Sequence, residues 1–397
     1  MLYFNRSIKR DQTPSIKYQT EKQLEFFNKD KLLPLWLNDM DFMTSPEIVA
    51  NLKKRVSKGH FGYEHRTKKM LHAFKKWHLD KHNFHIPEEY IHFSPSISTA
   101  LPVLIEILTD KDDYIIIQPP VYQMFAKSIK NLNRQVTENP LRYESGRYEM
   151  DLNHLESLLT NPKSKVLILS NPHNPVGRVW TDIELRKVAD LCIKHNVKII
   201  SDEVHRDILY KDISMTNIMD LSDKISRNTI TLLAPGKTFN ISGQSMAVVL
   251  INNSLISKKY KSFVDKYHIN NNNILNNIAF ETAYTHGYNW LSHFSKVLET
   301  NYMILENFIN KELPEINIIK PEGTFMVWLD LREISTDSNY LIEAIAKYGD
   351  LAVDAGSWFG HQGAGFIRIN IACPKIVLMT ALSKLKIAIT IIQAIHQ

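Results

Sequence analysis

Four short apolar runs that never alternate with polar residues constrain this chain more than any other feature: YIIIQ at 114–118, VLILS at 166–170, VKIIS at 197–201 and TITLL at 229–233. A strand with one wet face alternates apolar and polar side chains, so a run that is apolar throughout must be covered on both faces, as parallel strands are beneath flanking helices. Helical patterns fill the intervals. SPEIVANLKKRVSKG sets Ser45 as N-cap and Pro46 at the first helical position, with Ile48, Val49, Leu52 and Val56 at helical spacing and Gly59 as the stop. TDIELRKVADLC pairs Thr181 with Glu184 as a capping box ahead of Leu185, Val188, Ala189 and Cys192. Strands and helices in alternation predict an α/β fold around a mostly parallel sheet.

The chain is long enough for that. Its 397 residues, 44% hydrophobic and 23% charged, allow one large domain or two unequal ones with a real core. The excess of 48 Lys+Arg over 42 Asp+Glu gives a net charge of +6. The cations come in scattered pairs, Lys53 with Lys54, Lys68 with Lys69 and Lys75 with Lys76, which read as solvated helix faces and not as a nucleic-acid stripe. The two cysteines, Cys192 and Cys373, each lie in an apolar run, which predicts no disulfide framework and fits a reducing compartment. MLYFNRSIKRDQTP lacks the continuous apolar segment of a signal peptide, and no later run is expected to approach the length needed to span a bilayer, so a cytoplasmic protein with no membrane partner is expected.

The turn after each apolar run carries the chemistry. The first run leads into PPVY with Tyr122, the second into NPHNPVG with Asn171 and Asn174, the third into DEVH with Asp202 and His205, and the fourth into APGK with Lys237. Ligands of open α/β sheets bind outside the carboxyl ends of the strands, so these loops should share one crevice. Singly, each residue has a structural explanation in packing, turn chemistry, capping or solvation. Jointly, an amine, a carboxylate, an amide, an imidazole and an aromatic ring suit a lysine Schiff base to pyridoxal phosphate, with the carboxylate on the pyridinium nitrogen and the aromatic stacked on the ring.

Other candidates are weaker. Arg368 interrupts the apolar GFIRIN and needs a partner, which either a structural ion pair or a substrate carboxylate would supply. His78, His82 and His85 in HLDKHNFH stand at helical spacing, but no acidic or cysteine ligand accompanies them, so they read as a polar helix end before Pro87 and no metal is expected. GAGF lacks the strand-then-helix context of a dinucleotide loop. The asparagine-rich HINNNNILNN reads as a loop or helix start without chemistry.

With LPLWLNDMDF, GHFGY, IIIQPPVY, NPLRYESGRYEMD, SNPHNPVGRVW, SDEVHRDILY, APGKTFNISG, EGTFMVWLDL and GFIRINIACP in order, the chain resembles the MalY/PatB branch of the fold-type I pyridoxal-phosphate enzymes. These are cystathionine β-lyases or cysteine-S-conjugate β-lyases related to class I/II aminotransferases. The resemblance runs from about Leu33 to about Leu382.

It implies a role for each residue. Lys237 would hold the cofactor and act as the base at the substrate Cα. Asp202 would pair with the pyridine nitrogen, Asn174 and His205 would address the ring hydroxyl, and Tyr122 would stack on the ring. Tyr63 would reach the phosphate of a neighbouring subunit's cofactor, implying a homodimer, and Arg368 would take the substrate carboxylate. Ser96 and the N–H groups of Ile97 and Ser98 would form the phosphate cup at a helix start. His205 stands where related aminotransferases carry tyrosine, which favours a lyase.

Three positions depart from the pattern. Ser96 replaces a glycine, Gly236 replaces a serine and Asn38 replaces an alanine, so a hydroxyl missing from the phosphate site would come from Ser96, Ser98 or Ser245. The expected activity is β-elimination from cystathionine or another cysteine S-conjugate, giving a thiol or homocysteine, pyruvate and ammonia. An aminotransferase and a regulatory binding protein on the same fold are the alternatives. Residues 46–284 are expected to form a large cofactor domain, and residues 1–45 and 285–397 a smaller α+β domain closing over the substrate.

Overall fold

A computed structural model describes residues 4, 8, 10, 13–270 and 272–396. Most of the N-terminal stretch read for a leader, and residue 271 of the asparagine-rich run, lie outside the described residues.

The four apolar runs are strands of one seven-stranded sheet. Its strands are β1 (Ile91–Ser94), β2 (Tyr114–Ile117), β3 (Gln135–Glu138), β4 (Ser164–Ser170), β5 (Lys198–Asp202), β6 (Thr229–Leu233) and β7 (Ala247–Ile251). Their spatial order is β1-β7-β6-β5-β4-β2-β3, with β7 antiparallel to both its neighbours and every other pairing parallel. Successive residues serve opposite cores. Leu167, Leu169, Ile199 and Leu233 pack into one apolar cluster, while Val166, Ile168, Ile200 and Leu232 pack into another across the sheet. Burial on both sides is why these runs do not alternate.

Helices cover both faces. Helix α1 (Pro46–Val56) starts at Ser45 with proline in its first turn, although the Ser45 hydroxyl turns to the Glu47 carboxylate instead of capping. Helix α2 (Lys68–His82) is capped by Thr67 and α3 (Ile97–Leu108) by Ser96. The Thr181–Glu184 capping box forms at the start of α4 (Asp182–Lys194). A single turn, α5 (Pro235–Thr238), carries Lys237. The asparagine run supplies the N-cap, Asn273, of α6 (Ile274–His286), which packs on α1 and α2.

A second sheet comes after the long helix α7 (Tyr288–Glu312). It is antiparallel, in the order β8 (Asn317–Ile319), β9 (Met326–Asp330), β11 (Phe366–Asn370), β10 (Asp354–Ala355), and is backed by α8 (Ser338–Gly349), on which α9 (Lys375–His396) packs.

Two sequence expectations are corrected. The histidines of HLDKHNFH do not form a polar helix end: His78 is buried edge-on against Phe74 at 4.5 Å, and His82 bonds to Asp207 at 2.7 Å, leaving His85 exposed. Residues Lys375–Ile395 of α9, with mean hydropathy 1.7, are long and apolar enough to cross a membrane by length and composition. The helix is apolar because Leu378, Ala381, Leu382, Leu385, Ala388, Ile389 and Ile392 recur at helical spacing on a face buried in the core.

Candidate active site

The turns after β2, β4, β5 and β6 meet at one cavity of about 230 Å³. Tyr122, Asn174, Asp202, His205 and Lys237 line it, together with Ser96, Ile97 and Ser98 from the start of α3. Asn38 enters from the N-terminal segment. The parallel strands all point their carboxyl ends toward this edge, so residues far apart in sequence converge there.

Lys237 is placed by its turn. Ala234 is extended, Pro235 opens α5, and the lysine Nζ donates to the backbone carbonyl of Asn38 at 2.5 Å. Burial lowers its pKa to about 8; Asp39 and Asp202 act against this and Arg368 with it. Asp202, at the end of β5, accepts from the Val204 N–H at 3.3 Å and forms no salt bridge among the described residues. Burial pushes its carboxyl up to about 6. Three residues on, His205 is 3% exposed, and burial, with the nearby Lys237 and Arg368 charges, holds its pKa well below the ordinary imidazole value.

Arg368 has its ion pair, and it does not itself line the cavity. Its Nε and Nη2 donate to Asp354 Oδ2 at 2.8 and 2.5 Å, and Nη1 donates to Asn174 Oδ1 at 2.8 Å. The guanidinium lies over Phe359 at 4.5 Å. A structural ion pair is therefore present, and the same group is tied to a cavity residue.

At the start of α3, Ser96 accepts from the Thr99 N–H at 3.1 Å, so its hydroxyl is engaged as a cap, while the first N–H groups of the helix face the cavity end. Gly236 has a direct structural reason. A Cβ there would lie 3.2 Å from Ser242 Oγ and 3.1 Å from Ser242 Cα, so the Ser242 hydroxyl occupies the space beside Gly236. Ser242, Gln244 and Ser245 all line the cavity. Tyr63 does not join it; the side chain is fully exposed, beside the half-exposed Phe61.

The residues suit pyridoxal phosphate. The amine of Lys237 with its lowered pKa, a buried carboxylate without a salt bridge among the described residues for a protonated ring nitrogen, helix N–H groups for a phosphate, and the buried His205 Nδ1 with no partner among the described residues make a matching set of complementary groups.

Sequence reasoning missed Ser242, Asp354 and Asp207. Asp207 accepts from Trp77 Nε1, His82 and, through Thr238 Oγ1 at 2.9 Å, from the residue next to Lys237. Its sequence signal was present in DEVHRD, two positions past His205, but nothing local shows what a carboxylate there will bind.

This sheet and its lysine-bearing turn are those of a fold-type I pyridoxal-phosphate-dependent enzyme. The chain belongs to the aminotransferase class I and II family, whose pattern its residues 30–385 match. It is 33% identical to cystathionine β-lyase PatB of Bacillus subtilis over 387 residues, covering 98% of this chain and 100% of that one. It is 32% identical to protein MalY of Escherichia coli over 355 residues, covering 88% and 89%. A pyridoxal-phosphate-bound structure from Clostridium difficile 630, provisionally assigned as an aminotransferase, superposes with a TM-score of 0.94 at 37% identity, covering 97% and 99%.

Proposed function

We propose that this chain is a pyridoxal-phosphate-dependent carbon–sulfur β-lyase that converts cystathionine or another cysteine S-conjugate to a thiol or homocysteine, pyruvate and ammonia. The observation that carries the reading is one cavity lined by Lys237, Asp202, Asn174 and a histidine, His205. Similarity to a relative named cystathionine β-lyase supports it.

Bound pyridoxal phosphate supplies an electron sink for negative charge developing at the substrate Cα. Lys237, with its pKa lowered to about 8, takes the Cα proton as a neutral amine. Asp202 would pair with the ring nitrogen, Asn174 and His205 would address the ring oxygen, and Tyr122 would pack on the ring. Arg368 receives the α-carboxylate. Ile97 and Ser98 offer N–H groups to the phosphate, and Ser242 stands where it can add the hydroxyl that Gly236 lacks. Movement of residues 1–45 and 285–397 over residues 46–284 would exclude water. Sulfur then leaves from Cβ with the bonding electron pair and is protonated to the thiol, and one water hydrolyses the released three-carbon enamine to pyruvate and ammonia.

The fully exposed Tyr63 suits a homodimer in which it reaches the neighbouring site. Two buried free thiols, Cys192 and Cys373, suit a cytoplasmic setting. The second reading, an aminotransferase, is favoured by the assignment of the Clostridium difficile structure. Incubation of purified holoenzyme with cystathionine and no keto acid separates the two. Pyruvate and homocysteine are expected; turnover only on adding a keto acid acceptor would replace the lyase by the aminotransferase.

A further inference from the structure

Asn38 touches two members of the site at once. Its backbone carbonyl accepts from Lys237 Nζ, and its side-chain Nδ2 lies 3.0 Å from His205 Nε2. The segment that carries it is firmly held. Asn370 Nδ2 donates to the carbonyls of Leu37 and Asp39 at 2.9 and 2.8 Å, Lys17 Nζ bonds Asp41 at 2.6 Å, and Asn240 Nδ2 donates to the Phe42 carbonyl at 2.6 Å. Leu37 itself has φ 64°, and its N–H donates to Asp354, the partner of Arg368.

A carboxamide nitrogen can only donate. With Nδ2 facing the ring, His205 Nε2 is the acceptor, and this arrangement puts the single proton of the neutral ring on Nδ1. Neutrality arises from the setting, since the ring is buried and the charged groups acting on it, Lys237 and Arg368, are both cations. Nδ1 is itself buried and has no partner among the described residues, so its N–H is a donor whose acceptor those residues do not supply.

We propose that Asn38 is a positioning residue that fixes His205 as the Nδ1–H tautomer, keeping one oriented N–H for an oxygen acceptor on the bound cofactor. The inference rests on the cofactor site proposed above and not on the identity of the leaving group. Without Asn38, the ring is free to adopt the Nε2–H form, and its donor is no longer aimed.

The test is ¹⁵N NMR of ring-labelled histidines in the cofactor-free protein, with His205 assigned by its loss in His205→Gln. The wild type should show an unprotonated Nε2 and a protonated Nδ1. Asn38→Ala should shift the population toward Nε2–H and weaken pyridoxal phosphate binding by about 3- to 10-fold, as loss of one oriented hydrogen bond would. Asn38→Asp, whose carboxylate can only accept, should reverse the tautomer and raise the His205 pKa. A protonated Nε2 in the wild type, or an unchanged tautomer in both variants, overturns the proposal. Because the spectra need neither cofactor nor substrate, they stand whichever way the lyase assay falls.

Discussion

Arg368 and Asp354 sit directly opposite each other on adjacent antiparallel strands, with Nη2 2.5 Å from Oδ2. The guanidinium that would bind a substrate carboxylate is thus also half of a buried ion pair. Removing it should have two separable effects. Arg368→Gln should raise KM for cystathionine by about 10- to 100-fold, the range of a lost charge-assisted hydrogen bond. It should also cost about 3 kcal/mol in urea unfolding, because Asp354 is left buried without its counter-charge, keeping only the Leu37 N–H. Adding Asp354→Asn should recover most of the stability and none of the KM, which initial-rate kinetics beside the unfolding curves will show.

The pH dependence of cofactor capture should report Lys237. Only its neutral form is nucleophilic, and burial has lowered its pKa to about 8. The rate at which cofactor-free enzyme captures pyridoxal phosphate should therefore climb as pH rises through about 8 and level off above it. Asp39 acts to raise this pKa and Arg368 to lower it, so Asp39→Asn should move the midpoint down and Arg368→Gln should move it up. Stopped-flow absorbance across pH gives all three midpoints.

Asp202 destabilises the cofactor-free protein in a predictable direction. Its carboxyl is raised by burial to about 6, against about 3.9 in the unfolded chain. A raised folded value means the stabilising contribution is full below about 4 and lost as pH rises through about 6. Cofactor-free Asp202→Asn should accordingly be more stable than wild type at pH 8, by about 1–3 kcal/mol, with the gap narrowing toward pH 5. Pyruvate formation should collapse in the same variant. Thermal melts at the two pH values, with an activity assay, test the pairing of gain and loss.

Ser242 should matter to cofactor binding and little to folding. It is exposed, lines the cavity, and lies against Gly236. Ser242→Ala should weaken pyridoxal phosphate binding by about 5-fold, near the worth of one hydrogen bond, with an unchanged melting temperature of the cofactor-free protein. Fluorescence titration of the cofactor measures it, and unaltered affinity would remove Ser242 from the phosphate site.

The sequence showed this site unevenly, for physical reasons. Asp202, His205 and Lys237 were legible because a doubly buried strand and its adjoining turn are local patterns, and the sheet places all such turns on one edge. The capping box at Thr181 was legible because its bonds span three residues. Asp354 was not, since its link to Arg368 is a register between strands that no local spacing encodes. Gly236 read as a loss because its counterpart, Ser242, comes into contact only through the curl of the turn after α5. The apolar α9 was misjudged in the opposite sense: a stripe buried on one face raised the hydropathy of the whole run.

Asp207 shows how far the site's support extends. It ties two helices together: Trp77 and His82 on α2 donate at 3.0 and 2.7 Å, and Thr238 on α5 donates at 2.9 Å. Burial would raise its carboxyl, but the His82 hydrogen bond and nearby charge hold it well below the usual carboxylate range. The bridge fixes the turn that aims Lys237, without touching the cavity itself. Asp207→Ala should cost about 3–5 kcal/mol, as breaking a buried charged network does. Asp207→Asn keeps an acceptor for two of the donors and should cost less, about 1–2 kcal/mol. In Asp207→Asn, a loosened Lys237 should lower kcat by about 10-fold while leaving KM for cystathionine within about 2-fold, because Arg368, the residue proposed for the substrate carboxylate, lies on the other sheet. Steady-state kinetics on that variant decide the matter: a raised KM with kcat intact would place Asp207 in substrate binding instead of in support of the lysine.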